Sequence, residues 1–453
     1  MKKILVIGLI NIIFLSLVAF FTYNYVMSKK NRVNILEEEI IKLQSEIDSI
    51  PISQESLTLS DFVSQKFTVK NINYTLRKKK VSDLTTSKHP GSIGNSYLQS
   101  NEGKLFVASA NGIFSFIELE QFFLENAKLN IIQSNIKDII KNPKFYARSA
   151  YGIKDLLIHK NKFYISYTNE LKKDCYNTSI LVSDISTKRL SFKKFFEPKE
   201  CIKSSNEEYS PHQSGGRMVP YIGDNILFTV GEYRFRDHAQ NQKNIFGKIL
   251  SLNLSNGKTN IISMGHRNPQ GLFFDNKKNI VFSTEHGPAG GDEININFSP
   301  GKKIENFGWP ISSYGEHYKE GGIAYHTGYE SNERENKKYK IWPLHKSHQD
   351  YGFLEPLKYF TPSIAISEIV SVNQNFNNIS DQQIFVAAMG NKIEEGDLSL
   401  HWFILKENLN IQSHNIIKLN ERIRDLAYDV NSNKIFLFLE SSSSIGVFYV
   451  SEN

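Results

Sequence analysis

Beyond residue 90 this chain repeats one unit six times: an apolar strand, a turn rich in Asn, Asp, Gly and Lys, and a second apolar strand ending in a polar or acidic residue. The copies begin at Ser96, Asp155, Met218, Leu272, Ile366 and Asp425. Four of the five intervals are about 60 residues, a period typical of stacked repeat units. The exception, from Leu272 to Ile366, contains a polar insertion over Trp309 to Thr361. Most copies add a third strand, such as Ser179 to Ile185, Lys248 to Leu254 and His401 to Lys406. The expected fold is therefore all-β, a six-bladed β-propeller: a β-sandwich needs no such period and has no use for six copies. In a propeller, one loop from each blade meets at the axis, so distant segments can share a pocket.

Upstream of the repeats the pattern changes. Ile4 to Phe21 is apolar apart from Gly, Ser and one Asn, and the run extends to Met27. That length suits a membrane span, and Ser16 to Ala19 makes a poor cleavage site, so an uncleaved transmembrane signal anchor is expected rather than a removed signal peptide. Val33, Leu36, Ile40, Leu43, Ile47 and Ile50 then follow a 3–4 spacing that Pro51 ends. This reads as a short coiled-coil stalk through which copies of the chain associate, or as one amphipathic helix. The expected division is 1–28 tail and anchor, 29–51 stalk, and 52–453 propeller, the propeller lying in the periplasm or outside the cell.

The net charge is +7, scattered in short clusters such as Arg77-Lys78-Lys79-Lys80. No nucleic-acid reader motif accompanies it, so a solvated surface is the reading and no nucleic-acid partner is expected. The two cysteines, Cys175 and Cys201, flank one strand-like run. They are expected to form a disulfide if the domain lies outside the cytoplasm; the alternative is two separate buried thiols.

Five loop segments carry the chemistry: Pro211 to Arg217 (PHQSGGR), Gly265 to Gly271 (GHRNPQG), Thr284 to Asn295 (TEHGPAGGDEIN), Asn306 to Pro310 (NFGWP) and Arg422 to Asp425 (RIRD). They offer an imidazole, guanidiniums and a carbonyl-rich Gly/Pro loop, a set suited to a polyanion beside a hard cation. Taken singly each has a plainer reading. Asn268-Pro269 and Gly287-Pro288 are ordinary turn dipeptides, and Arg422 and Arg424 could be edge-strand surface charges. No His-x-x-x-His motif supports a zinc hydrolase.

Together and in this order, the segments resemble those of the pyrroloquinoline-quinone (PQQ) dependent soluble glucose and aldose sugar dehydrogenases, the glucose/sorbosone dehydrogenase family. The resemblance is good from about residue 150 to the C-terminus. It implies a PQQ- and Ca²⁺-dependent oxidoreductase that oxidises the C1 hydroxyl of a small sugar and passes electrons to an acceptor it does not identify. It implies His212 as general base, Arg267 as the group polarising the quinone carbonyl, and Asn268 at the same cofactor edge. It implies Gly287 and Pro288 as carbonyl ligands of Ca²⁺, and Arg422 and Arg424 as holders of cofactor carboxylates. The sequence also departs from the family. Ala150-Tyr151-Gly152 stands in place of Gln-Gly-Gly, and Pro211 in place of an aspartate. Glu232 stands in place of an aspartate, a conservative change that still leaves it as the catalytic residue orienting His212. The cofactor lysine aligns on Gly390, with Lys392 two residues on as its substitute. The competing reading is a propeller that lost turnover and serves as a binding or scaffolding module.

Overall fold

Two-residue turns with both residues in the left-handed region close the tightest hairpins of the chain. Lys160-Asn161 (φ 50° and 57°), Lys70-Asn71 (51° and 61°) and Glu102-Gly103 (47° and 74°) each join adjacent antiparallel strands. Such turns match the right-handed twist of the strands they connect. The computed structural model describes residues 55–81, 84, 95–206, 208–318 and 340–451.

Six mainly antiparallel sheets of four to six strands make the blades. Their innermost strands are Ser96–Asn101, Ile153–His159, Gly215–Tyr221, Pro269–Asp275, Ile366–Val372 and Ile423–Asp429, each within three residues of a repeat start read from the sequence. These six strands neighbour one another in a closed ring, the last contacting the first. The sixth blade is completed from the other end of the chain. Ile72–Lys80 pairs antiparallel with Ser444–Val450, in register from Ser444 opposite Lys80 to Val450 opposite Tyr74, and Val63–Val69 adds the outer edge. The ring is thus held shut by backbone hydrogen bonds between the two ends of the propeller.

Apolar packing follows the same plan, with six buried clusters that each join strands of adjacent blades. Tyr97 and Phe106 meet Leu156 and Phe163 between the first two blades, and Phe385 and Trp402 meet Leu437 and Phe448 between the last two.

Five of the six inner strands carry a register shift at their first residues: Ile153/Asp155, Gly215/Met218, Pro269/Gly271, Ile366/Ile369 and Ile423/Asp425. A bulge re-aims the side chain at the break. The residues left at these breaks include Lys154, Arg217, Gln270, Glu368 and Arg424, all of them polar.

Cys175 and Cys201 are joined as the sequence suggested, across 26 residues. Replacing Cys201 by serine is expected to lower stability by roughly 3 kcal/mol through the freed unfolded chain. Urea denaturation under non-reducing conditions checks this; an unchanged midpoint would contradict it.

The anchor and stalk expected over 1–28 and 29–51 lie outside the described residues. The membrane localisation inferred from them is corrected: among the described residues, no helix is long and apolar enough to cross a membrane.

Candidate active site at the axial mouth

In an antiparallel meander, the start of the inner strand lies at the same end as the loop joining the second and third strands. That geometry gathers the motif segments. Pro211 to Ser214, Gly265 to Asn268 and Arg422 lead into inner strands, and the loop after Ile280–Glu285 carries Gly287 and Pro288.

The hub beneath this mouth is Arg217. Its Nη1 lies 3.2 Å from Asp155, 2.8 Å from Glu368 and 2.5 Å from Asp425, carboxylates of three different blades. Its Nη2 donates to Arg424 O at 3.0 Å and its Nε to Gln270 O at 2.6 Å. Each carboxylate also accepts a backbone N–H from a neighbouring blade: Asp155 from Met218, Glu368 from Leu272, and Asp425 from Leu98. One guanidinium cannot neutralise three buried carboxylates. Burial accordingly pushes Asp155 up to about 7 and Glu368 up to about 8, against the pull of Arg217. Further along the inner strands an axial cavity of about 330 Å³ includes Asp155, Glu368 and Asp425 but none of His212, Arg267 or Arg422, so it is a separate recess.

At the mouth, the His212 side chain is open to water on one side yet recessed among protein atoms. That recession first, and the charges of Lys154 and Arg424 after it, lower its pKa to about 4. The ring is therefore neutral at pH 7, the form that accepts a proton. Beside it, the Gln213 amide nitrogen donates to Glu232 Oε1, and its oxygen accepts from Arg267 Nη2 at 2.9 Å, the orientation that satisfies both atoms. Among the described residues no hydrogen bond joins Glu232 to His212; Gln213 links Glu232 to Arg267 instead. Glu232 is fully buried, and burial, opposed by Arg267 and Arg236, raises it to about 7.

Arg267 is fixed from several directions. Its backbone N–H donates to Glu285 Oε2 at 3.0 Å and its Nη1 to His286 O at 2.9 Å. Its guanidinium lies 5.5 Å from the Trp309 ring centre and 5.8 Å from that of Tyr318. Asn268 Oδ1 accepts from Gly215 N and from Gln270 Nε2. Arg422 and Arg424 share one partner, Glu440, at 3.2 Å and 3.3 Å. Arg422 also donates to Met389 O, and the buried Arg424 Nε has no partner among the described residues.

In the 287–291 loop, a Cβ at Gly287 would sit 2.2 Å from Gly291 O, so only glycine fits this tight path. The carbonyl oxygens of Gly287 and Pro288 accept no hydrogen bond from the described residues. Among those residues no cluster of three or more His, Cys, Asp or Glu is arranged to hold a metal ion. Lys392 follows Met389 and Asn391, whose oxygens accept from Arg422. Its side chain is 60% exposed and its ammonium pairs with Glu395 at 2.9 Å. Gly390 leaves no room for a side chain, since a Cβ there would meet the Asp397 carboxylate at 1.9 Å.

Sequence reasoning missed Lys154, Gln213 and Glu440. A lysine inside the apolar run Ile153 to Ile158 was a legible signal for the first. The partnership of Glu440 with the arginine pair depends on cross-strand geometry and left none.

Fold and mouth together define a six-bladed propeller with a cation-rich axial site built around a neutral histidine. The chain belongs to the glucose/sorbosone dehydrogenase family, whose model matches residues 120–445. Aldose sugar dehydrogenase YliI of Escherichia coli is 26% identical over 272 residues, which cover 55% of this chain and 65% of that protein. The chain thus spans just under two thirds of that curated relative's length. Among solved structures, the apo-form of the soluble aldose sugar dehydrogenase of Escherichia coli superposes with a TM-score of 0.58 at 18% identity, covering 80% of this chain and 97% of the other. The PQQ-bound aldose sugar dehydrogenase of Streptomyces coelicolor gives 0.53 at 15% identity, covering 86% and 99%. That Escherichia coli protein is described as soluble.

Proposed function

We propose that this protein is a PQQ-dependent aldose dehydrogenase that oxidises the C1 hydroxyl of a sugar. The observation that carries the reading is the convergence of His212, Arg267, Arg422 and Arg424, drawn from three blades, at one end of the axis. Family membership and the PQQ-bound Streptomyces relative support it.

The residues fit the cofactor. Among the described residues Arg422 and Arg424 have only Glu440 as a carboxylate ion-pair partner, and Arg424 Nε, without a partner there, leaves a charged donor for a ligand carboxylate. Arg267 and Asn268 would hold its carbonyl edge. The free carbonyl oxygens of Gly287 and Pro288 are the hard donors a Ca²⁺ ion takes. When bound, PQQ supplies the hydride acceptor. His212 takes the proton of the C1 hydroxyl. Arg267 stabilises negative charge that develops opposite it, and the Gln213 bridge to buried Glu232 keeps that guanidinium in place. Glu232 acts on Arg267 through Gln213. Lys392 is paired with Glu395 at the surface.

Titration calorimetry tests the reading. Loss of one charged hydrogen bond in a desolvated site costs about ten- to a hundredfold in affinity. Arg424→Ala is expected to weaken PQQ binding by that factor, and chelating Ca²⁺ to weaken it separately. Absence of PQQ binding by the unaltered protein at saturating Ca²⁺ would overturn the assignment.

The pH dependence follows from His212. Because its pKa is depressed, the basic form persists far into the acid range. kcat/KM is expected to lose no activity to His212 protonation between pH 7 and 5, and to fall as pH drops through about 4. A descending limb near the ordinary imidazole value would show that the ring is not held as described.

A further inference from the structure

We propose that Lys154 is a further ligand-holding residue of this mouth, its ammonium taking a carboxylate of the quinone alongside Arg424. The inference rests on the proposed function and adds a residue on which neither the motifs nor the family resemblance drew.

The argument begins with the repeat. Lys154-Asp155 in the second blade and Arg424-Asp425 in the sixth occupy the same place: the first residues of an inner strand, at its register break. Both aspartates lie against the same nitrogen of Arg217, at 3.2 Å and 2.5 Å. Lys154 is therefore the second-blade counterpart of Arg424, presented at the axis by the same bulge. Packing fixes its stem, since a Cβ on Gly216 would lie 2.3 Å from Lys154 Cβ.

Its partners leave the charge uncompensated. The side chain is buried, and Nζ donates to Ser149 O at 2.9 Å and Ala150 O at 2.7 Å. Among the described residues no carboxylate pairs with it. Two neutral carbonyls do not offset a buried ammonium, and burial followed by repulsion from Arg424 lowers its pKa to about 7. Its charge also reaches His212. An anion bound beside Lys154 and Arg424 would supply the missing counter-charge.

A plainer role exists, in which Lys154 only caps the carbonyls of the short 3₁₀ turn Ser149–Tyr151. The test separates the two. PQQ is titrated calorimetrically into the full chain with Ca²⁺ present, for the unaltered protein, Lys154→Met and Lys154→Arg, each with its thermal midpoint recorded. Lys154→Met is expected to bind PQQ about ten- to a hundredfold more weakly, and Lys154→Arg to bind nearly as the unaltered protein does. In the apo protein, NMR is expected to show the His212 pKa rising in Lys154→Met. If methionine at this position prevents folding, the arginine variant still decides. PQQ affinity of the unaltered protein falls from pH 6 to 9 as the ammonium discharges, and falls less in Lys154→Arg. Asp155, Glu368 and Glu232, which titrate in the same range, and the neighbouring Arg217, Arg424 and Glu440 are common to both proteins. PQQ affinity unchanged in Lys154→Met, with only a lower thermal midpoint, would overturn the inference and leave the function standing. Failure of the unaltered protein to bind PQQ would overturn the function itself.

Discussion

Replacing His212 by alanine is expected to lower kcat for aldose oxidation by roughly 10²- to 10⁴-fold, the usual worth of a positioned general base. PQQ affinity is expected to change little, because the imidazole is assigned to the substrate hydroxyl while Arg422, Arg424 and Arg267 carry the cofactor contacts. The two effects are separable because His212 forms no hydrogen bond with Glu232 or Arg267 among the described residues; its neighbour Gln213 makes those contacts. Removing the ring therefore leaves the supports of Arg267 in place. Steady-state kinetics and calorimetry on the same preparation check this. Unchanged turnover would remove His212 from the mechanism, and a parallel collapse of PQQ binding would make it a cofactor residue.

The largest effect on stability is expected at Arg217. Arg217→Met keeps much of the stem but removes the one guanidinium that binds Asp155, Glu368 and Asp425 and reaches the backbone at Gln270 and Arg424. Breaking a buried ion pair from one side costs about 3–5 kcal/mol, since the abandoned charge stays buried. Here three carboxylates are abandoned, so the upper part of that range is expected by urea denaturation at pH 7. The pH dependence has a definite sign. Asp155 and Glu368 already have folded-state pKa values raised to about 7 and about 8. Groups raised in this way contribute fully below their unfolded values near 4, and that contribution is lost as pH rises through the folded values. Without Arg217 the loss should steepen, so the variant's deficit is expected to be smaller at pH 5 than at pH 8. A deficit independent of pH would mean that lost packing, not stranded charge, dominates.

The repeat was legible because a blade writes itself locally: apolar strand, turn chemistry, apolar strand. All six inner strands begin within three residues of the repeat starts, and the third strands fall where the pattern put them, as at Lys248–Asn253 and Ser399–Leu405. What closes the ring was not legible. Val63–Val69 and Ile72–Lys80 form a single hairpin far upstream of the blade they complete, and nothing local says that Ile72–Lys80 pairs with Ser444–Val450. Within the site, the motif residues His212, Arg267, Arg422 and Arg424 reach one end of the axis as their loop positions implied. Lys392 pairs with Glu395, and sequence offset from Gly390 carries no information about the Asp397 carboxylate that fills the space there. Bulges are equally silent in sequence, which is why the axial role of Lys154, and of Arg217 as a hub for several blades, came only with the strand register. The apolar run at the N-terminus led to a membrane localisation that the described residues do not support.

One measurement bears most directly on the proposed activity. The purified protein is loaded with PQQ in the presence of Ca²⁺, and the quinone absorbance is followed while a panel of aldoses is added without any external electron acceptor. The account predicts reduction of the bound quinone by at least one aldose, and no reduction in His212→Ala loaded to the same level. Bound PQQ that stays oxidised with every aldose, in protein that is otherwise folded, would contradict it and favour a propeller that holds its ligand without turning it over.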